Sequence, residues 1–205
     1  MTDDDGRRRR FEHRRGEVLQ AATEAVLAHG LSGLSLRRLS EHVGVSHATL
    51  LHHFGSREQL VAEVVESILG AALAAPQIPD GHPDPLAALW ERARSSRGRA
   101  LSTAFLEIAV AAAHADGALR EAVVRSVGER VDLLAAGLTR AGCPQEEAEP
   151  LATLVLASLR GLMVDLISTG DERRAERAFD VLRDVVETRL ERGATARHRA
   201  FTEEA

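Results

Sequence analysis

The segment GVSHATLLHHFGSREQL, residues 44 to 60, gathers the residues best equipped for chemistry. It opens with Gly-X-Ser-X-Ala, the spacing of a nucleophile elbow, and carries His47, His52 and His53 as bases or metal ligands. An elbow thrusts its serine out on a strained turn between a strand and a helix, above a parallel sheet with acid and histidine partners. Ser46 is instead preceded by LRRLSEHV, which has helical spacing, and no window of the chain shows the alternation of a strand. A metal site needs converging ligands, yet adjacent helical residues such as His52 and His53 point about 100° apart. Neither hydrolysis nor metal binding is expected, no cofactor is implied, and the chain is not read as an enzyme.

The segment fits a helix, a tight turn and a second helix. Leu36, Leu39, Val43 and Val45 can pack one helix on the next, Gly44 permits the sharp connection and Ser46 can cap the second helix. That second helix, His47 to His53, turns small or polar side chains outward: His47, Ala48, Thr49 and His52. Such a face suits a DNA major groove. Threonine offers a methyl to thymine and a hydroxyl to base edges, histidine can donate to guanine or phosphate, and the helix N-terminus presents N–H groups to phosphate. Leu50 and Phe54 belong to the core, and His53 is read as a packing partner rather than a base reader.

The elements that must position this face are helical throughout, so the fold class is all-α. The first helix, 14 to 29, places Val18, Leu19, Ala22, Ala25 and Val26 on one face and stops at Gly30. Ser56 with Gln59 has the spacing of a capping box, opening a fourth helix that runs to about residue 75. A proline-rich connection follows, then helices at 85–97, 99–115, 118–141, 146–169 and 172–192. The organisation expected is a disordered basic arm (1–13), a three-helix DNA-binding domain (14–56), a helical ligand-binding and dimerisation domain (57–193) and a loose tail (194–205).

Net charge is −5, which argues against a general polyanion binder, but six arginines lie between Gly6 and Arg15 against a single acid. A basic arm of this kind can follow the minor groove or neutralise phosphates, although a solvated tail reads the same way. All 26 basic residues are arginine, so position carries more information than number. Cys143 is the only cysteine, which excludes an internal disulfide. It lies in a glycine-proline turn, where it could sense oxidation, but it has no resolving partner. No leader-like segment opens the chain, and the longest apolar stretch, Leu151 to Ile167, is interrupted by Arg160 and Asp165. The expected location is cytoplasmic, with no membrane partner.

Residues Leu34 to Ser46, Ala48-Thr49-Leu50 and His53-Phe54-Gly55-Ser56-Arg57-Glu58-Gln59-Leu60 together resemble the DNA-binding region of TetR-family transcriptional regulators. The resemblance covers about residues 15 to 65; beyond it only the helix pattern and length agree. It implies a dimer that binds a palindromic DNA operator and is controlled by a small ligand, usually as a repressor. Ser35 and Arg37 would lie near backbone or base edges, Ser46, His47, Ala48 and Thr49 would face the groove, and Arg57 would meet phosphate. The family's usual tyrosine, whose hydroxyl contacts a phosphate, is replaced here by Leu51, so that contact is absent or is supplied by His52 or His53. The alternative is a helical small-molecule-binding or interaction protein that has lost DNA binding.

In the second domain, the resemblance points to the last two helices for dimerisation. Ala157 and Gly161 form a small-residue face, and Phe179, Leu182 and Val186 belong to an apolar stripe, although both sets could equally pack within the protomer. The alanine-rich run around Phe105 could leave room for an apolar effector, lined by Trp90, Phe105, Ile108, Leu159 and Met163 with polar options at Glu107 and His114. Arg160 and Asp165 are expected to pair with each other.

Overall fold

The computed structural model describes residues 3–30, 36–73, 84–114 and 117–203. Among the described residues there are nine α-helices and no strand: α1 (Asp3–His29), α2 (Leu36–Val43), α3 (His47–Phe54), α4 (Arg57–Leu73), α5 (Pro85–Arg94), α6 (Ser96–Ala113), α7 (Ala118–Ala141), α8 (Gln145–Thr169) and α9 (Glu172–Glu203). They divide into two compact units, residues 1–72 with 103–123, and residues 73–102 with 124–205.

Both loose ends of the sequence reading are corrected. The arm continues α1 as helix from Asp3, because arginine is a good helix former and Asp3, Asp4 and Asp5 sit at the helix N-terminus, where the macrodipole favours acids. The tail from Gly193 likewise continues α9 to Glu203. Gly193 is a point of close approach rather than a stop: a Cβ there would lie 2.5 Å from the Gly142 carbonyl oxygen and 2.8 Å from Pro144 Cδ. The break expected at Gly98 falls instead at Ser95, whose Oγ accepts from the Gly98 N–H at 3.1 Å and so caps α6.

The first unit contains α1 to α4. Val18, Ala22 and Val26 of α1, Leu39 of α2, Leu50 and Phe54 of α3, and Leu60, Val64, Val65, Ile68 and Leu69 of α4 are all buried. The domain boundary expected at residue 56 is therefore displaced: α4 belongs with the helices before it, and the Thr23 hydroxyl, which donates to Leu19 O of its own helix at 2.8 Å, ties α1 to α4 by meeting Ser67 Oγ at 3.1 Å. Ser56 caps α4 through the Gln59 N–H at 3.1 Å, but the capping box is not closed, since the Gln59 amide turns to Glu63 at 3.4 Å.

The second unit is built on one apolar core from α5, α7, α8 and α9. Trp90 stacks on Phe179 with ring centroids 5.2 Å apart and planes 9° apart, surrounded by Leu138, Leu151, Val155, Leu159, Met163, Leu166, Leu182 and Val186. Asp84 starts α5 by accepting from the Ala87 N–H at 2.8 Å, with Pro85 in the first turn. The proline-rich stretch before Asp84 lies outside the described residues. Asp165 does not pair with Arg160; its two oxygens accept from Arg174, at 2.7 Å for the shortest contact, across the turn between α8 and α9. Cys143 is 1% exposed, and burial first, then Glu147 and Glu146, raises its thiol above the ordinary value, which leaves little thiolate for oxidation. By length and composition α8 could cross a membrane; its Leu151, Val155, Leu159, Met163 and Leu166 pack in this core, while Leu154, Val164 and Ile167 are exposed.

Candidate nucleic-acid interface

The turn between α2 and α3 consists of Gly44, Val45 and Ser46. Gly44 has φ 70°, a conformation that a side chain disfavours, and nothing lies within 4 Å of where its Cβ would stand, so the glycine is required by the backbone and not by space. The Val45 N–H donates to Ser40 O at 3.1 Å, which closes the end of α2. Ser46 then takes an extended conformation and its Oγ accepts from the Thr49 N–H at 3.0 Å. The same Oγ lies 2.8 Å from Thr49 Oγ1, so the threonine hydroxyl is held against the cap and its methyl is oriented with it. At the other end Gly55, at φ 76°, donates to Leu51 O at 2.8 Å and terminates α3.

This geometry leaves Leu50 and Phe54 buried while His47, Ala48 and His52 are exposed and Thr49 is half-exposed. Ser46, His47, Ala48, Thr49 and His52 thus stand together on one short, rigid helix. Leu51 is half-buried, so an outward hydroxyl is missing at that position. Arg37 is 87% exposed on α2 and donates to Glu41 within its own helix at 3.1 Å, an exposed pair that phosphate could open. Ser35 and the side chain of Arg57 lie outside the described residues.

A clamp that sequence reasoning missed holds α3 in place. Arg15 of α1 reaches across 48 positions to Glu63 of α4, with contacts of 2.5 and 2.6 Å to both carboxylate oxygens. Its Nε donates to His53 O at 3.2 Å, and its guanidinium lies over the Phe54 ring at 4.9 Å. One side chain therefore joins three helices of the unit. In the sequence Arg15 reads as the last member of the basic run, and its spacing to Glu63 gives no signal. Burial, followed by His52, Arg15 and Arg14 nearby, holds the His53 imidazole below the ordinary range.

The profile of bacterial regulatory proteins of the tetR family matches residues 18–64, and that of the LmrA/YxaF-like transcriptional regulator C-terminal domain matches residues 84–173. The chain belongs to the TetR family of transcriptional regulators. Among its relatives, the HTH-type transcriptional regulator TcmR of Streptomyces glaucescens is 28% identical over 159 residues, 78% of this chain and 66% of TcmR. The HTH-type transcriptional repressor AcnR of Corynebacterium diphtheriae is 43% identical over 47 residues, 23% of this chain and 25% of AcnR. The matched region therefore spans just under two thirds of TcmR and a quarter of AcnR. In fold the chain is similar to a transcriptional regulator from Rhodococcus sp. RHA1, with a TM-score of 0.72 at 24% identity, over 86% of this chain and 96% of that one. TetR regulators are soluble DNA-binding proteins that act as dimers, and the relatives named here are regulators of transcription rather than enzymes.

The residues assigned by sequence to ligand binding are divided between the two units of this TetR chain. Trp90, Leu159 and Met163 line the core of the second unit. Phe105, Glu107, Ile108 and His114 belong to the first unit, where Ile108 is fully buried, the Glu107 carboxylate packs against Gly30, and His114 Nδ1 lies 2.9 Å from Val110 O of its own helix. The dimerisation set also divides. Phe179, Leu182 and Val186 are 4 to 7% exposed inside the protomer core and cannot serve as a pairing surface, whereas Ala157 and Gly161 are exposed.

Proposed function

We propose that the chain is a ligand-responsive transcriptional repressor, located in the cytoplasm and without catalytic activity, which binds a palindromic operator as a homodimer. The observation that carries this reading is α3: a helix capped at both ends, clamped by Arg15 and presenting His47, Ala48, Thr49 and His52 outward. Small side chains allow close approach to base edges, and the helix N-terminus with Ser46 faces phosphate.

Exposed apolar residues support the dimer. Leu154, Ala157, Gly161 and Val164 recur along the outer face of α8, and Val181 and Val185 along that of α9, with Leu154 49% and Val181 63% exposed. Two such pairs of helices make a four-helix bundle, and two-fold symmetry then sets the recognition helices about one DNA turn apart. An effector controls the repressor if it binds more tightly to the conformation in which that spacing is wrong.

Footprinting of the full chain on the DNA upstream of its own gene tests the function. A protected inverted repeat is expected, with half-sites separated by about ten base pairs centre to centre. No protection at low salt on any sequence would leave the alternative, a helical binding protein that no longer reads DNA. Leu51→Tyr, which restores a phosphate donor, is expected to tighten operator binding by roughly tenfold in the same assay.

A further inference from the structure

The second unit contains a group of polar atoms that the folded chain leaves unused. Ser126 on α7 is 4% exposed, and its Oγ has no hydrogen-bond partner. One turn later, Arg130 has its Nε and Nη2 atoms both shielded from solvent and both without a partner. Residues four apart share a helix face, so Ser126 and Arg130 lie on the same side of α7. Further cations surround them: Arg92 of α5 and Arg160 of α8 act on Arg130, and after burial they are what pulls it down to about 10. Burial lowers Arg160 as well. Among the described residues no ion pair involves Arg130.

Arg130 remains a cation at neutral pH, and a shielded cation beside two others, with idle donors, costs stability. The geometry states what is missing. Nε–H and the adjacent Nη2–H lie along one edge of the guanidinium as two parallel donors, the arrangement that receives both oxygens of a planar carboxylate. The Ser126 hydroxyl can donate a third hydrogen bond. Trp90, whose indole Nε1 is also buried without a partner, belongs to the apolar core of the same unit.

We propose that Ser126 and Arg130, with Arg92 and Arg160 supplying the positive field, form the head-group site for an organic carboxylate, and that the effector of this regulator is an anionic small molecule. The effector role rests on the repressor reading above; the binding site does not.

Calorimetric titration of the full chain with octanoate and 1-naphthoate, against octanamide, 1-naphthamide and inorganic phosphate, tests the site. The acids are expected to bind at least about tenfold more tightly than their amides and than phosphate. Arg130→Met is expected to abolish that preference and, because an uncompensated cation is gone, to raise the melting temperature of the ligand-free protein. Ser126→Ala should keep the fold and weaken acid binding severalfold. Four results would each overturn the site: no binding of either acid at millimolar concentration, acids and amides binding alike, phosphate binding as well as the acids, or a ligand-free Arg130→Met less stable than the parent. A gel shift on the protected DNA separates the two ideas. Acids that bind without releasing DNA leave the site standing and remove the effector role, whereas operator binding with no acid affinity removes the site and leaves the DNA-binding function.

Discussion

Replacing Phe54 by alanine is expected to destabilise the first unit by about 3–5 kcal/mol and to abolish operator binding through loss of the fold. Phe54 is 4% exposed at the end of α3, in a core with Leu50, Leu60 and Val64. Its ring also carries the Arg15 guanidinium, a contact of about 0.5–1 kcal/mol that would be lost with it. Since a domain is typically stable by only about 5–15 kcal/mol, the loss is a large share of the total. Urea unfolding followed by circular dichroism checks it. A variant that unfolds at the parental midpoint, yet no longer binds DNA, would show that Phe54 acts at the interface and not in the core.

Ala48→Glu is expected to give the opposite combination, lost binding with intact folding. Ala48 is exposed in the first turn of α3, where the helix macrodipole favours an acid, so stability should hold or rise slightly. A carboxylate pressed against the groove meets phosphate repulsion and must be desolvated, and operator affinity should fall on the order of 10²-fold or more. A gel shift beside a melting curve makes the comparison. Retained affinity would move the reading face away from this side of α3. Together the two substitutions separate the scaffold from the surface it presents.

Helix α3 was legible because its signals are local. Gly44, Ser46 and Gly55 each specify a backbone state at a fixed offset, and all three occupy the turn and caps where their chemistry places them. The Arg15 clamp was not legible, because the partners Glu63 and His53 are brought near only by tertiary packing. Helix α9 shows a second kind of limit. Periodicity reveals that a face is apolar but not what covers it, and this helix has two such faces. Phe179, Leu182 and Val186 turn into the protomer, while Val181 and Val185 turn outward. A stripe of period near 3.6 drawn through Phe179, Leu182, Val185, Val186 and Leu190 runs across both faces. The ends of α1 and α9 were misjudged for a related reason, since a run of charges or a lone glycine signals a loose segment only when no neighbour or dipole supports the helix.

Trp90 has a practical consequence beyond packing. The chain contains one tryptophan and no tyrosine, so its ultraviolet emission comes from a single indole, stacked on Phe179 inside the second unit. The protein thus carries one optical reporter, and it stands in the second unit. A fluorescence change on adding a small molecule would arise beside the ring itself. A change on adding DNA, which has no indole to report it in the reading unit, would be a direct record of communication between the two halves.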